Sequence, residues 1–329
     1  MGYIKEQREV QSKFFRNKGG GVFNQNPYDF VLKEEFRKDN LLQNISDESI
    51  KCFKQNKIGW WRGRNGLPTN HMLSSQVACV NHLFWIMKNE DAATEVLKVI
   101  DPEFKAVPFP KTIDSDEENY VEFEYDGFDL TKKNGKNIIG EKRSARGATS
   151  TSVDAAMLAQ KGEQKILVFI EWKYVEKYSG TAIEKMSDTY RKQRSIYRNL
   201  LTMNESPIKM NLSTENNKCD YDKDYVKFSI EPFYQLMRQT LLAWRLSGEN
   251  HIIADDYIHI HAIPQKNIQL LKGKTSPCIS NGVNICDGWK TYLKNPNKYI
   301  HIDPQKLIEA SALKYNDKIF QYLSNRYWK

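Results

Sequence analysis

The pattern of apolar and polar residues predicts a buried strand that ends in two charges. The stretch ILVFIEWKYVE, residues 166–176, opens with five apolar residues, and such a run is typical of a strand covered on both faces. Because side chains alternate along a strand, Glu171 and Lys173 share one face with Leu167. Trp172 points to the opposite face. A carboxylate and an ammonium group therefore lie at the end of a core strand.

The same patterns predict the order of the remaining elements. Helical spacing indicates helices over 75–89, 180–201, 231–246 and 303–329, a mainly helical segment over 28–57, and a helix start at Ser46–Ser49. Extended patterns indicate strands over 119–127, 150–158 and 255–264. A glycine- and asparagine-rich break at 17–30 separates an N-terminal arm from the body. This mixed order predicts an α/β or α+β domain whose central sheet is covered by helices.

The overall composition restricts the class of protein. The chain has 329 residues, a formal net charge of +8 and a pI near 9.0, which favours a polyanionic partner but also fits a solvated basic face. Five cysteines without a C-x-x-C pair indicate neither a disulfide framework nor a zinc ribbon. No apolar run reaches the ~18 residues of a membrane helix. We therefore expect a soluble, cytoplasmic protein without a membrane anchor.

The charges at the strand end have two interpretations. One is a salt bridge where the sheet meets solvent. The E-x-K pattern by itself is weak evidence for a catalytic site, because Glu163 and Lys165 repeat it in a polar turn. The other includes Asp154, which lies on a segment that can pair with the strand as a hairpin. Two carboxylates suit Mg²⁺ or Mn²⁺, and a neighbouring lysine can stabilise charge on a phosphate. The second interpretation predicts phosphodiester hydrolysis.

The stretch TSVDAAM followed by LVFIEWKYVE, with the basic KRSARGATS before it, resembles the PD-(D/E)xK, or restriction-endonuclease-like, nuclease superfamily. The resemblance covers roughly 70–262 and implies an α/β fold with a central mixed sheet flanked by helices. It implies that Asp154 and Glu171 bind the metal, that Lys173 is catalytic, and that the Trp172 carbonyl is a further ligand. The chain departs from the pattern because Val153, not proline, precedes the aspartate.

A second departure is the absence of a glutamate on the helix that precedes the sheet, where Gln76 stands instead. The acid can come from elsewhere, and the sequence does not choose among Glu122, Glu124 and Glu141. A later glutamine is a further expectation from the resemblance. The candidates are Gln193, Gln235 and Gln239, although polar residues on an amphipathic helix are more often exposed.

Basic clusters give the expected DNA contacts. Arginine and lysine beside small residues can reach phosphates, and the candidates are Arg62, Arg64, Lys142, Arg143 and Arg146. The basic run at 191–198 also fits a solvated helix face, and Trp60 and Trp61 also fit simple packing. His259 and His261 share a strand face and would bind a transition metal only with a third ligand.

These features predict a Mg²⁺- or Mn²⁺-dependent DNA endonuclease, with DNA as the partner and a homodimer compatible with cutting both strands. The alternative is a catalytically inactive nucleic-acid-binding protein with the same fold, and an unrelated protein with a surface ion pair is a third. We divide the chain into an N-terminal extension (1–65), a nuclease-like core (66–265) and a helical C-terminal extension (266–329).

Overall fold

The computed structural model describes residues 2–110, 118–128, 135–142, 150–176, 196–210, 228, 231–248, 252–272 and 283–329. The helices in these ranges are α1 Tyr3–Phe14, α2 Gln43–Gln55, α3 Ser75–Leu83, α4 Glu90–Lys98, α5 Phe233–Leu246, α6 Ile268–Leu271, α7 Ile285–Thr291, α8 Pro304–Tyr315 and α9 Asp317–Arg326. The strands are β1 Gly21–Phe23, β2 Asn26–Tyr28, β3 Lys105–Val107, β4 Glu122–Tyr125, β5 Val153–Lys161, β6 Gln164–Trp172, β7 Asp256–Ala262 and β8 Tyr299–Ile302. Short 3₁₀ helices occupy Glu34–Asn40, Phe84–Ile86 and Pro296–Lys298.

In the described ranges, a mixed sheet of six strands forms the centre of the fold. Its order is β3-β5-β6-β7-β8, and β4 pairs with β5 beyond the end of β3. Strands β5 and β6 form an antiparallel hairpin that turns at 162–163, whereas β6, β7 and β8 run parallel. This arrangement confirms the predicted mixed sheet flanked by helices.

Helices cover both faces of this sheet. On one face, Val168, Ile170 and Trp172 pack in a core that includes α3, α4, α8 and α9. On the other face, Leu167 and Phe169 pack in a core that includes α5 and α7. Strand β6 is thus buried on both sides, as its apolar run predicts. The alternation along this strand is confirmed, and it places Glu171 after Phe169 on the α5 side.

In strands β4 and β5, the side chains switch from one face of the sheet to the other close to Asp154. Phe123 pairs with Ala155 and both lie in the α3-side core, whereas Tyr125 pairs with Val153 and both lie in the α5-side core. In a regular strand, residues two apart share a face. The interruption falls at Glu124, whose backbone has a φ of 45°, a conformation that non-glycine residues rarely adopt. The predicted simple alternation over 119–127 is therefore wrong at this position.

Most of the other predicted elements are confirmed, with shifts at their ends. Helix α3 begins after the Ser74 N-cap, whose hydroxyl accepts from the Val77 N–H, but it ends at Leu83 and a 3₁₀ turn follows. The predicted helix start at Ser46–Ser49 is wrong, because these residues lie inside α2. Residues 196–202 are helical, and the rest of the predicted 180–201 helix lies outside the described residues. The three-part division of the chain stays a prediction.

A buried arginine joins the two ends of the described chain. Arg326 on α9 is fully buried, and its guanidinium donates to Gln11 Oε1 at 3.0 Å and to the Asn40 carbonyl at 2.6 Å. It also contacts the rings of Phe15 and Tyr327. Because a buried cation needs its hydrogen bonds satisfied, this one side chain fixes α1 and the segment before α2 against α9.

No helix in the part of the chain that the structure describes combines the length and apolar character that crossing a membrane requires.

We expect Arg326→Met to lower the free energy of unfolding by about 3 kcal/mol or more, because it leaves several buried acceptors without a donor. Lys318→Ala is the matched control, since Lys318 is an exposed cation on the same helix, and its effect should stay within about 0.5 kcal/mol. Urea denaturation measures both changes. Equal effects of the two substitutions would show that Arg326 contributes no special stability.

Candidate active site

The candidate site lies where the paired part of the β5–β6 hairpin ends. The last paired residues are Ala155 and Ile170, so Asp154 and Glu171 are the next residue on each strand. Asp154 Oδ2 accepts a hydrogen bond of 2.7 Å from the backbone N–H of Trp172. The structure therefore places the three predicted residues Asp154, Glu171 and Trp172 in contact or close to one another.

Glu171 is held by one lysine and two glutamines. Its Oε1 accepts from Lys173 Nζ at 2.6 Å and from Gln235 Nε2 at 2.8 Å, and its Oε2 accepts from Gln239 Nε2 at 2.5 Å. Both glutamines lie on α5, four residues apart. Their predicted shared face is confirmed, and it points at the site because α5 packs against this side of the sheet. The lysine and glutamate do form an ion pair, but it is buried rather than exposed at a frayed strand end.

Glu124 supplies a third carboxylate on the α3 side. Its Oε1 accepts from Gln76 Nε2 at 2.8 Å and its Oε2 accepts from the Ser152 hydroxyl at 3.0 Å. Gln76 stands on the helix where the resemblance expects a glutamate, and it touches an acid that comes from β4 instead. Among the three acids that the sequence left open, Glu124 is the one beside Asp154 and Glu171.

Burial and mutual repulsion dominate the electrostatics of these carboxylates. Desolvation raises the pKa of Asp154 well above its ordinary value, the charges of Glu171 and Glu124 raise it further, and Lys173 opposes them. Desolvation raises the pKa of Glu124 to about 7, although its hydrogen bonds from Gln76 and Ser152 act in the opposite direction. Removing two carboxylates from water beside a third is unfavourable unless positive charge compensates.

A buried thiol on α3 lies near the three acids. Cys79 on α3 is fully buried, and its pKa is raised first by desolvation and then by the charges of Asp154, Glu124 and Glu171. One side chain thus lies within electrostatic reach of all three. The site is therefore lined by α3 on one side and by α5 on the other.

The donor set fits a hard divalent cation. In the ranges that the structure describes, no three His, Cys, Asp or Glu side chains are grouped so as to hold one metal ion. Mg²⁺, however, usually takes only one or two carboxylates and keeps several waters. Asp154 and Glu171 are two such carboxylates, and a cation between them would oppose the desolvation and the repulsion that raise the pKa of Asp154.

In the part of the chain that the structure describes, Glu141 and Glu122 have other hydrogen-bond partners. Glu141 accepts from the backbone N–H and the hydroxyl of Thr151 and from Tyr197, so it ties segments together. Glu122 accepts from Asn119. Gln193, Arg143 and Arg146 lie outside the described residues, as does most of the basic run at 191–198. Lys142 is exposed.

The two strand histidines do not form a metal centre with a third ligand in the described ranges. His261 Nδ1 is 2.7 Å from the Tyr299 hydroxyl, and His259 Nδ1 is 3.4 Å from Thr240 Oγ1. Burial lowers the pKa of His259 to about 4. These contacts are those of neutral core histidines.

The loop before Gln76 carries Arg62 and Arg64 at the surface. Trp60 stacks on Phe53 with ring centroids 3.9 Å apart and packs, partly buried, against the core, so simple packing is confirmed for this tryptophan. Trp61 is 49% exposed. The two residues of the pair therefore have different environments.

Ser152 contributes to the site and was missed by the sequence reasoning. Ser152 donates its hydroxyl to Glu124, and its carbonyl accepts from Gln239 Nε2 at 2.9 Å. It thereby connects the helices on the two sides of the sheet. The sequence feature that could have identified Ser152 is its position two residues before Asp154, in the run of small residues TSTSVDAA.

The fold and site together define a restriction-endonuclease-like protein, with a mixed sheet between helical layers and carboxylates with a lysine at the ends of adjacent strands. The family described as Restriction Endonuclease associating with ARP matches residues 5–328, and the chain belongs to this family. Comparisons with curated proteins and with solved structures found no match.

Without divalent cations, Glu124 should make stability depend on pH. Its folded-state pKa of about 7 exceeds its ordinary value of 4.5, so the folded protein retains a proton that the unfolded chain loses. Stability attributable to this group therefore falls as the pH rises from about 4.5 to about 7, by an amount of the order of 3 kcal/mol. Glu124→Gln should remove this part of the slope.

Chemical denaturation in EDTA at pH 5 and pH 8 measures the effect. Glu163→Gln, in the exposed hairpin turn, is the control and should keep the parent's slope. The assignment fails if Glu124→Gln and the parent lose the same stability between the two pH values.

Proposed function

We propose that this protein is a metal-dependent nuclease that hydrolyses DNA phosphodiester bonds at the site formed by Asp154, Glu171 and Lys173. The observation that carries this proposal is the 2.7 Å hydrogen bond from the Trp172 N–H to Asp154. It brings the aspartate of one strand beside the Glu171-x-Lys173 of the next. Membership in a restriction endonuclease family supports the same reaction.

Asp154, Glu171 and the Trp172 carbonyl would hold Mg²⁺ or Mn²⁺. When bound, this cation would supply Lewis-acid polarisation of a phosphate oxygen and would lower the pKa of water. The protein's own contribution is to fix the two carboxylates. Gln235 and Gln239 each donate to Glu171, so its carboxylate is oriented before any substrate arrives.

Lys173 would provide the positive charge at the reacting phosphate. Its side chain is only 11% exposed, and its Nζ is held by Glu171 and by Gln235 Oε1 at 3.1 Å. Its ammonium group would donate a hydrogen bond to a phosphate oxygen or to the attacking water. In a site shielded from solvent, this charge stabilises the transition state more strongly than in water.

Glu124 bears on the alternative that the protein binds DNA without cleaving it. The absence of a glutamate on the helix that precedes the sheet favours that alternative. Glu124 supports activity instead, because it puts an acid beside Asp154 from β4, and Gln76 binds that acid from the helix. We assign Glu124 as the accessory carboxylate, and Arg62, Arg64 and Lys142 as phosphate contacts at the surface.

Plasmid cleavage with Mg²⁺ or Mn²⁺ tests the reaction. We expect Lys173→Met and Asp154→Asn each to reduce the cleavage rate by about 100-fold or more, the scale on which loss of a preorganised charged group acts. Lys165→Met is a matched control. Lys165 belongs to the second E-x-K of the same hairpin, but it is exposed, so its loss should leave the rate within about twofold.

Two results would decide against cleavage at this site. A parent protein that binds DNA but cleaves none under these conditions would favour the inactive alternative. Equal rates for the parent, Lys173→Met and Asp154→Asn would place any observed cleavage at another site.

Cation binding can be measured without DNA or turnover. Mg²⁺ or Mn²⁺ should raise the melting temperature of the parent at pH 8, because a ligand of the folded state at 100 times its Kd adds about 2.7 kcal/mol. Asp154→Asn should lose most of this increase, while Lys165→Met should retain it. An identical increase in the parent and in Asp154→Asn would contradict the proposed ligand set.

A further inference from the structure

The loop between α2 and α3 presents an exposed tryptophan next to the candidate site. This tryptophan loop, residues 59–67, has the sequence GWWRGRNGL and contains two arginines and no acid. Trp61 is one of the exposed large apolar residues, with 49% of its surface accessible. This exposed indole, together with the two arginines of the loop, makes the loop a candidate interaction surface.

The loop is built to hold this side chain in place. Arg62 and Asn65 have φ values of 49° and 53°, which cost energy in residues other than glycine. A Cβ at Gly63 would come within 2.5 Å of the Leu67 carbonyl oxygen, so only glycine fits there. The backbone is therefore fixed in a tight, strained turn rather than free to move.

The Phe23 ring and the Arg62 guanidinium pack against Trp61. The Phe23 ring, on β1, is 6.1 Å from the Trp61 ring between centroids. The Arg62 guanidinium lies 5.0 Å from the Phe23 ring centre and 5.5 Å from that of Trp61, and it donates to Asn24 Oδ1. The result is a platform that combines a flat aromatic surface with a fixed positive charge.

Gln76 connects this platform to the carboxylates. Its Oε1 accepts from the Trp61 N–H at 2.8 Å, and its Nε2 donates to the Gly59 carbonyl at 3.0 Å and to Glu124 at 2.8 Å. One side chain thus separates the backbone of Trp61 from an acid of the site.

We propose that Trp61, with Arg62, forms a stacking subsite for an unpaired base, so that the substrate is DNA with unpaired nucleotides beside the cleaved bond. This inference rests on the proposed nuclease function and names its substrate class. The faces of paired bases are covered by their neighbours in a duplex, whereas an unpaired base can stack on an aromatic ring while arginine binds the phosphate. The rigid turn lowers the entropic cost of forming this contact.

The test is DNA affinity, measured by fluorescence anisotropy with Ca²⁺ in place of Mg²⁺. The probes are a labelled duplex and the same duplex with four unpaired nucleotides on one strand, the scale of a stacking site. We expect the parent to bind the second probe more tightly. Trp61→Ala should weaken that binding about tenfold or more and leave duplex binding nearly unchanged, while Trp61→Phe should retain most of the affinity.

Leu313→Ala is the matched control, because Leu313 is also a large exposed apolar residue, 54% accessible, but lies on α8. It should bind both probes like the parent. Unchanged affinity of Trp61→Ala for the unpaired probe, or equal losses on both probes, would overturn the stacking subsite.

Cleavage of both probes with Mg²⁺ separates this inference from the proposed function. A parent that cleaves DNA, with a Trp61→Ala variant that binds normally, refutes the subsite and leaves the nuclease intact. Binding that depends on Trp61 without cleavage by the parent refutes the nuclease and leaves the subsite. A parent that binds neither probe refutes both.

Discussion

The cost of burying carboxylates at the end of a core strand governs this structure. Glu171 is 2% exposed, and an ionised carboxylate there is unfavourable unless hydrogen bonds and positive charge compensate. Lys173 supplies the charge, and Gln235 and Gln239 supply the hydrogen bonds. Helix α5 therefore has to pack where its two glutamines reach the strand end. The burial of Glu171 thus adds a second requirement to the position of this helix, whose apolar face packs in the same core as Leu167 and Phe169.

The other helical layer meets the same requirement from the opposite side. Gln76 on α3 binds Glu124, and Ser152 binds both Glu124 and, through its carbonyl, Gln239. Hydrogen bonds thus run from α3 across the sheet to α5. Because each of these groups orients another, a change on either face of the sheet should be felt at the carboxylates. A site built this way is preorganised by its surroundings and not by the strand alone.

Local patterns predicted the part of this arrangement that depends on local geometry. The apolar run of β6 and the two-residue period placed Glu171 and Lys173 on one face, and the short hairpin put Asp154 opposite them. The acid on β4 could not be selected in the same way. Glu122 and Glu124 look equivalent in an alternating strand, and only the positive φ at Glu124, which breaks that alternation, turns one of them toward Gln76, 48 residues away in the chain.

Repulsion between carboxylates accounts for a glutamine, rather than a glutamate, at position 76 on α3. A glutamate at position 76 would add another carboxylate beside Glu124, whose pKa is already raised to about 7 by desolvation and by Glu171. Two adjacent ionised acids repel strongly where water is excluded. A glutamine keeps the length and donates a hydrogen bond to the acid, and its oxygen remains available for the Trp61 N–H. With the acid on β4 rather than on α3, a carboxylate is still present at the site. The side chain of Gln76 on α3 then links the site to the tryptophan loop.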